Sequence, residues 1–154
     1  MNDNTTSEKL DQLYASAGSK LRKSAGDFRE RQKWVKAVDE LTDGERIVYL
    51  IGILNQQVLN GGFEQYFDNR YAIFGYETAD ILDSIKATRT SSLLRKALGI
   101  VNIQKLHGDD YKEYVWETLI GEELIDQLED LTDQYYDEDQ VEDLELLTGN
   151  YLKK

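Results

Sequence analysis

Three observations predict an all-α fold of about seven or eight helices. Proline is absent, so no ring removes a backbone N–H from a helix interior. Apolar residues recur at intervals of three and four instead of alternating. Turn-forming clusters, Thr42-Asp43-Gly44 and Asn60-Gly61-Gly62, fall between the periodic runs.

The elements follow in order. A first helix starts from an N-cap at Ser7 and runs through Leu10, Leu13, Tyr14 and Ala17, with Gly18 and Gly26 loosening it. A basic amphipathic helix over Phe28 to Leu41 places Trp34, Val38 and Leu41 on one side. From Glu45 to Leu59, Ile47, Val48, Leu50, Ile51, Ile53, Leu54 and Val58 are too dense for a surface helix, so this segment is the expected core element. A short aromatic helix spans Gly62 to Asn69, followed by helices over Glu77 to Ala87 and Ser91 to Gln104. The last third predicts helices over Tyr111 to Leu119, Gly121 to Tyr136 and Asp139 to Leu152.

The chain has 154 residues, the size of one ordinary domain. The expected organisation is a basic helical arm over residues 1–33, loosely attached, ahead of an all-helical domain over 34–154. Cysteine is absent, which excludes a disulfide framework, a thiol nucleophile and a thiolate zinc site. The start, MNDNTTSEKL, has neither a basic n-region nor an apolar run, and no stretch reaches the roughly 18 apolar residues of a membrane span. The expectation is a soluble cytoplasmic protein.

Charge is the most uneven property of the chain. Its net value is −12 and its pI near 4.5. Residues 1–36 hold eight basic and five acidic side chains, a net +3. Residues 109–154 hold three and sixteen, a net −13. Phosphate binding needs clustered Lys and Arg, so nucleic acid and anionic membrane are excluded as direct partners and a basic protein is expected. Between Glu113 and Leu152 there is no Lys or Arg at all.

In Asn60-Gly61-Gly62-Phe63-Glu64-Gln65-Tyr66-Phe67-Asp68-Asn69, two glycines follow an apolar helix and permit a tight reversal. Phe63, Tyr66 and Phe67 then share one helix face, and Asn60, Gln65 and Asn69 are suited to bond exposed helix-end groups. None of these is an effective acid, base or nucleophile near neutral pH, so the segment reads as a structural corner.

This stretch resembles the NGGF-x-QYF-x-N signature of a bacterial family catalogued as a domain of unknown function and as the C-terminal domain of a DNA-mimic protein. Asn60, Gly61, Gly62, Phe63, Gln65, Tyr66, Phe67 and Asn69 carry the match. Gly44-Glu45-Arg46-Ile47-Val48-Tyr49 and the acidic-aromatic end, Leu131 to Gln140, match in kind, so the resemblance covers about residues 34 to 152. It implies an all-helical fold, self-association as a homodimer and, in the DNA-mimic branch, carboxylates displayed like duplex phosphates.

The acidic segment has a geometry of its own. Leu124, Leu128, Leu131 and Tyr135 form a core-facing stripe. Glu122, Asp126, Glu129, Asp133 and Asp137 lie about 200° round from it, on the outer face. Asp130, Glu138, Asp139, Glu142 and Asp143 flank this row. Like charges at i, i+4 each cost about 0.2–0.5 kcal/mol, and no lysine offsets them, so self-stability does not explain the row. It is either a phosphate-like track for a DNA-binding protein or a solvated face that confers solubility.

Other chemistry lacks support. Asp137 to Glu142 misses the glycine and oxygen ligands of a calcium loop, so no metal is expected. His107, the only histidine, is read as capping a helix C-terminus. No nucleophile elbow, phosphate loop or dinucleotide fingerprint is present, so neither catalytic residue nor cofactor is expected. Tyr114 and Tyr136 are the expected exposed aromatic anchors. The reading is a non-enzymatic acidic binding module, a DNA mimic occupying the DNA-binding surface of a bacterial DNA-binding protein or transcription regulator. The alternative is an immunity or adaptor protein for a basic effector such as a nuclease toxin.

Overall fold

The structure is a computed structural model that describes residues 3–25 and 30–153, with side chains from Thr6 onward. The helices are α1 (Asp3–Ala25), α2 (Arg31–Asp39), α3 (Asp43–Asp68), α4 (Gly75–Ser84), α5 (Thr88–Val101), α6 (Gly108–Glu117), α7 (Glu122–Tyr136) and α8 (Leu144–Leu152), with one 3-10 turn at Tyr71–Phe74. Among the described residues there is no strand, and the fold is all-α. No described helix is long and apolar enough to cross a membrane. The backbone divides into two compact units, one running to Gly52 and resuming at Leu144, the other Ile53–Asp143.

In the first unit α1 packs with α2 and α8. It is not a loose arm: Leu10, Ala17 and Leu21 are buried. Gly149 of α8 comes so close to α1 that an added Cβ would lie 2.5 Å from Thr6 Cγ2. The start of α3 is fixed by a reciprocal capping box, in which Glu45 N–H donates to Thr42 Oγ1 at 3.2 Å and Thr42 N–H to Glu45 Oε1 at 3.0 Å. Glu45 is only 3% exposed, and its carboxylate also accepts from Ser16 Oγ at 2.5 Å and Lys20 Nζ at 2.7 Å. The Lys20 ammonium first, then Ser16, holds the Glu45 carboxyl down to about 2.

The second unit surrounds the continuation of α3. Leu54, Val58, Phe63, Tyr66 and Phe67 are buried with Leu82 of α4 and Leu94 and Leu98 of α5. Tyr111 of α6 donates from its hydroxyl to Ala72 O at 2.6 Å, and burial pushes its phenol up. Lys112 reaches Ile73 O and Glu77 Oε2, each at 2.7 Å.

Several element limits differ from the sequence expectation for identifiable reasons. Ser7 lies inside α1, which is helical from the first described residue and continues through Gly18. Helix α2 starts at Arg31; Gly26 and Phe28 lie outside the described residues. Helix α5 stops at Val101 because Asn102 turns its amide on the loop beyond, donating to Leu106 O at 3.0 Å and accepting from Leu106 N–H at 2.9 Å. His107 therefore precedes α6 at its N-terminal end, exposed and making no side-chain cap bond there, so the C-terminal capping role is replaced. Helix α8 begins at Leu144, not Asp139, because the Asp137 carboxylate takes the Asp139 N–H at 3.0 Å and holds a turn. The 3-10 turn, entered by Arg70 at φ 70°, had no signal in the apolar pattern.

Candidate functional site

The site begins at the break in α3. Gly61 (φ −148°, ψ 18°) and Gly62 (φ 77°, ψ −179°) interrupt the helix. Gly62 occupies a backbone region that side chains resist, and a Cβ there would lie 2.9 Å from Thr132 Oγ1. The kink frees backbone groups, and α7 takes them up. Phe63 N–H donates to Thr132 Oγ1 at 3.0 Å, while the Thr132 hydroxyl donates to Leu128 O within α7 at 3.0 Å. Tyr136 Oη lies 2.7 Å from both Val58 O and Leu59 O and donates between these released carbonyls.

Rings and amides complete this seat. Phe63 meets Tyr135 edge to face, with centroids 5.8 Å apart at 88°. Tyr135 donates to Asn55 Oδ1 at 2.8 Å, and burial pushes its phenol up. Phe63, Tyr66 and Phe67 are all buried. Gln57 Oε1 accepts from Gln65 Nε2 and Asn69 Nδ2, both at 2.9 Å, and Gln65 Oε1 accepts from Asn60 Nδ2 at 3.1 Å. Asp68 Oδ1 accepts from Ile120 N–H at 2.9 Å, just before α7 begins. The glycine motif and α7 are thus one assembly.

With Leu128, Leu131 and Tyr135 buried on the seat, α7 turns its other side to solvent. Glu122, Asp126, Glu129 and Asp133 are exposed there, as are Glu123 and Asp130. Leu124 of the expected core stripe is only half-buried. Among the described residues, none of these carboxylates pairs with a lysine or arginine. Asp130 accepts from the Gln134 amide, at 3.1 Å. Six carboxylates thus fall on residues 122 to 133, a helix length of about 17 Å and about one charge per 3 Å. One DNA strand carries a charge every 3.4 Å and the duplex about every 1.7 Å.

Helix energetics accounts for only part of that charge. Glu122 and Glu123 sit in the first turn, where the helix dipole favours anions. Asp133 lies towards the opposite end, where the dipole disfavours them; α7 has no basic residue of its own in the last turn, and the cation there, Arg89 of α5, donates to Gln134 O at 2.6 Å.

The remaining expected residues behave differently. Asp137 is half-buried and holds the turn after α7, accepting from Asp139 N–H at 3.0 Å and Gln140 Nε2 at 3.2 Å. Glu138, Asp139 and Asp143 are exposed around that turn. Glu142 is half-buried and bound inside the fold: its carboxylate accepts from Thr90 N–H at 2.6 Å, Thr90 Oγ1 at 2.7 Å and Arg89 N–H at 3.3 Å, capping α5. Tyr136 is 42% exposed with its tip on the seat, and Tyr114 is half-buried. Among the described residues, no group of three or more His, Asp or Glu is placed to hold a metal ion.

Sequence reasoning missed Thr132 and the capping role of Glu142. The signal for Thr132 was a hydroxyl four residues after Leu128, beside the apolar stripe. Nothing local marks Glu142.

A family model described as DMP19-like protein matches residues 39–154. No curated protein and no solved structure gives a significant match. The match takes in most of the chain, including the glycine motif and α7, and the chain belongs to the DMP19-like family.

Proposed function

We propose that this member of the DMP19-like family is a non-enzymatic DNA mimic, whose helix α7 presents carboxylates to the DNA-binding surface of a basic protein, a bacterial DNA-binding protein or transcription regulator. The observation that carries the reading is the unpaired set on α7. Its charge density along the axis lies near that of a single DNA strand, its members have no basic partner among the described residues, and the helix beneath them is held by a dedicated seat. The working residues are Glu122, Asp126, Glu129, Asp130 and Asp133, with Glu138 and Asp139 extending the track. Glu142 and Asp137 support the display from within.

The test uses two affinity columns, one bearing the native chain and one bearing Glu122→Gln/Asp126→Asn/Glu129→Gln/Asp133→Asn, loaded with bacterial lysate. The expected result is that the native column alone retains a DNA-binding protein, which added duplex DNA releases. Retention of the same protein by both columns would remove the row from the interface and favour an adaptor that binds by shape.

A further inference from the structure

Beside the row, between α5 and α7, runs an open groove of about 860 Å³. Its floor is apolar: Val101 and Leu131 are buried beneath it, while Ile100 and Leu124 are only partly covered. One rim is acidic, formed by Glu123, Asp126 and Asp130, which line one edge of α7. Lys96 is the one cation among the described residues that line it. Ile103, just past the end of α5, is 77% exposed at the groove.

The opposite wall has a gap at one position. Gly99 lies exposed within α5, and a Cβ added there would meet nothing within 4 Å. A glycine inside an exposed helix costs about 1 kcal/mol relative to alanine, and neither a turn nor a close packing contact requires one at this position. Its effect is to leave the α5 wall without a side chain at position 99, between Lys96 and Ile100, widening the groove there at the cost of helix stability.

We infer that the groove receives a basic amphipathic helix of the partner, apolar side chains down and Lys or Arg turned to the rim of α7. The inference rests on the reading of α7 as the partner-facing helix and adds what that helix recognises. From Glu123 to Asp130 the rim extends about 10 Å, two turns of a helix, so the occupant inserts apolar residues at i, i+3 or i+4, and i+7. The rim repels phosphate and acidic peptide alike, and a second copy of α7 would bring carboxylates against carboxylates. The row steers a basic protein from a distance in a salt-sensitive way; the groove supplies contact that salt does not screen.

The probe is a labelled synthetic helix of about 16 residues with leucine at i, i+3, i+4 and i+7 and lysine elsewhere, beside a scrambled peptide of identical composition, read by fluorescence anisotropy. The amphipathic peptide is expected to bind about ten-fold more tightly than the scramble, a preference retained at about 0.5 M salt. Gly99→Trp, which fills the groove from open space, is expected to abolish the preference while leaving the far-UV CD spectrum and scramble binding unchanged. Ile103→Ser is expected to reduce the preference a few-fold by a change outside the helix. Glu122→Gln/Glu129→Gln/Asp133→Asn, which leaves the groove rim intact, is expected to weaken both peptides at low salt without changing their ratio. Equal binding of the two peptides, or a preference that survives Gly99→Trp, overturns the groove as a docking site. Failure of the DNA-mimic reading shows separately, as DNA that does not displace the partner from the native column.

Discussion

Helices α4 and α7 both carry carboxylates on their outer faces, yet they stand in opposite relations to the rest of the second unit. Asp80 and Asp83 each lie 2.8 Å from Arg95 Nη2, and Glu77 lies 2.7 Å from Lys112 Nζ. The Arg95 guanidinium, and after it Ser91, holds the Asp83 carboxyl below its usual value. On α7, Asp126, Glu129 and Asp133 have no such neighbour among the described residues. The difference separates two uses of one residue type. Charge on α4 is neutralised by the fold, whereas charge on α7 is left uncompensated, so it acts on whatever approaches from outside.

The comparison breaks most visibly if the seat of α7 is removed. Gly62→Val forces a branched side chain into φ 77° and against Thr132, and is expected to destabilise the protein by about 2–4 kcal/mol in urea unfolding. Gly99→Ala, in open space, is expected to be neutral or stabilising by up to about 1 kcal/mol. Similar losses from both would mean that the kink is ordinary helix strain and the seat is not specific.

The next effect concerns an acidic residue that sequence grouped with the row. Glu142→Ala removes the cap of α5 and is expected to cost about 1–2 kcal/mol, whereas Glu138→Ala, exposed nearby, is expected to cost almost nothing. Differential scanning calorimetry of the two variants reads this directly. Equal melting temperatures would place Glu142 back among the displayed charges.

Glu45 sharpens the contrast through pH. Its folded-state value is depressed to about 2, so its contribution is fully present above the ordinary carboxylate range and is lost as pH falls from about 5 towards 2. Glu45→Gln is expected to flatten stability against pH across that window; an unchanged slope would show that the Lys20 contact does not act in solution.

The smallest effect has the opposite sign. Asp126→Asn/Glu129→Gln/Asp133→Asn is expected to stabilise the protein by a few tenths of a kcal/mol per relieved i, i+3 or i+4 pair, about 0.2–0.5 each, a gain that fades towards about 1 M salt. Asp80→Asn/Asp83→Asn is expected to give no gain. Destabilisation by the α7 substitutions would make the row part of the fold and remove the distinction between the two helices.

The helices were legible because their buried residues repeat at three and four: Leu128, Leu131 and Tyr135 announce α7, and the Thr42-Asp43-Gly44 cluster announces the start of α3. The double glycine announced a break. What it joins was hidden, because Phe63 and Thr132 are 69 positions apart and their bond leaves no local pattern. Glu142 caps a helix 52 positions away and reads in sequence as one more carboxylate. The groove was hidden for the same reason, since neither α5 nor α7 shows it alone. The start of α8 was misplaced because apolar periodicity does not register a side chain competing for a backbone N–H, as Asp137 does.

The seat also bears on how this protein can change. It grips α7 through Thr132, Tyr135, Tyr136 and the buried leucines, and asks nothing of positions 122, 126, 129 and 133. On the proposed function, recognition is therefore written on a replaceable outer lettering over a fixed mount, open to substitutions that retune the partner without renegotiating the fold. A chain carrying serine at all four positions is expected to keep its CD spectrum and the edge-to-face contact of Phe63 with Tyr135, leaving an intact scaffold with nothing inscribed on it.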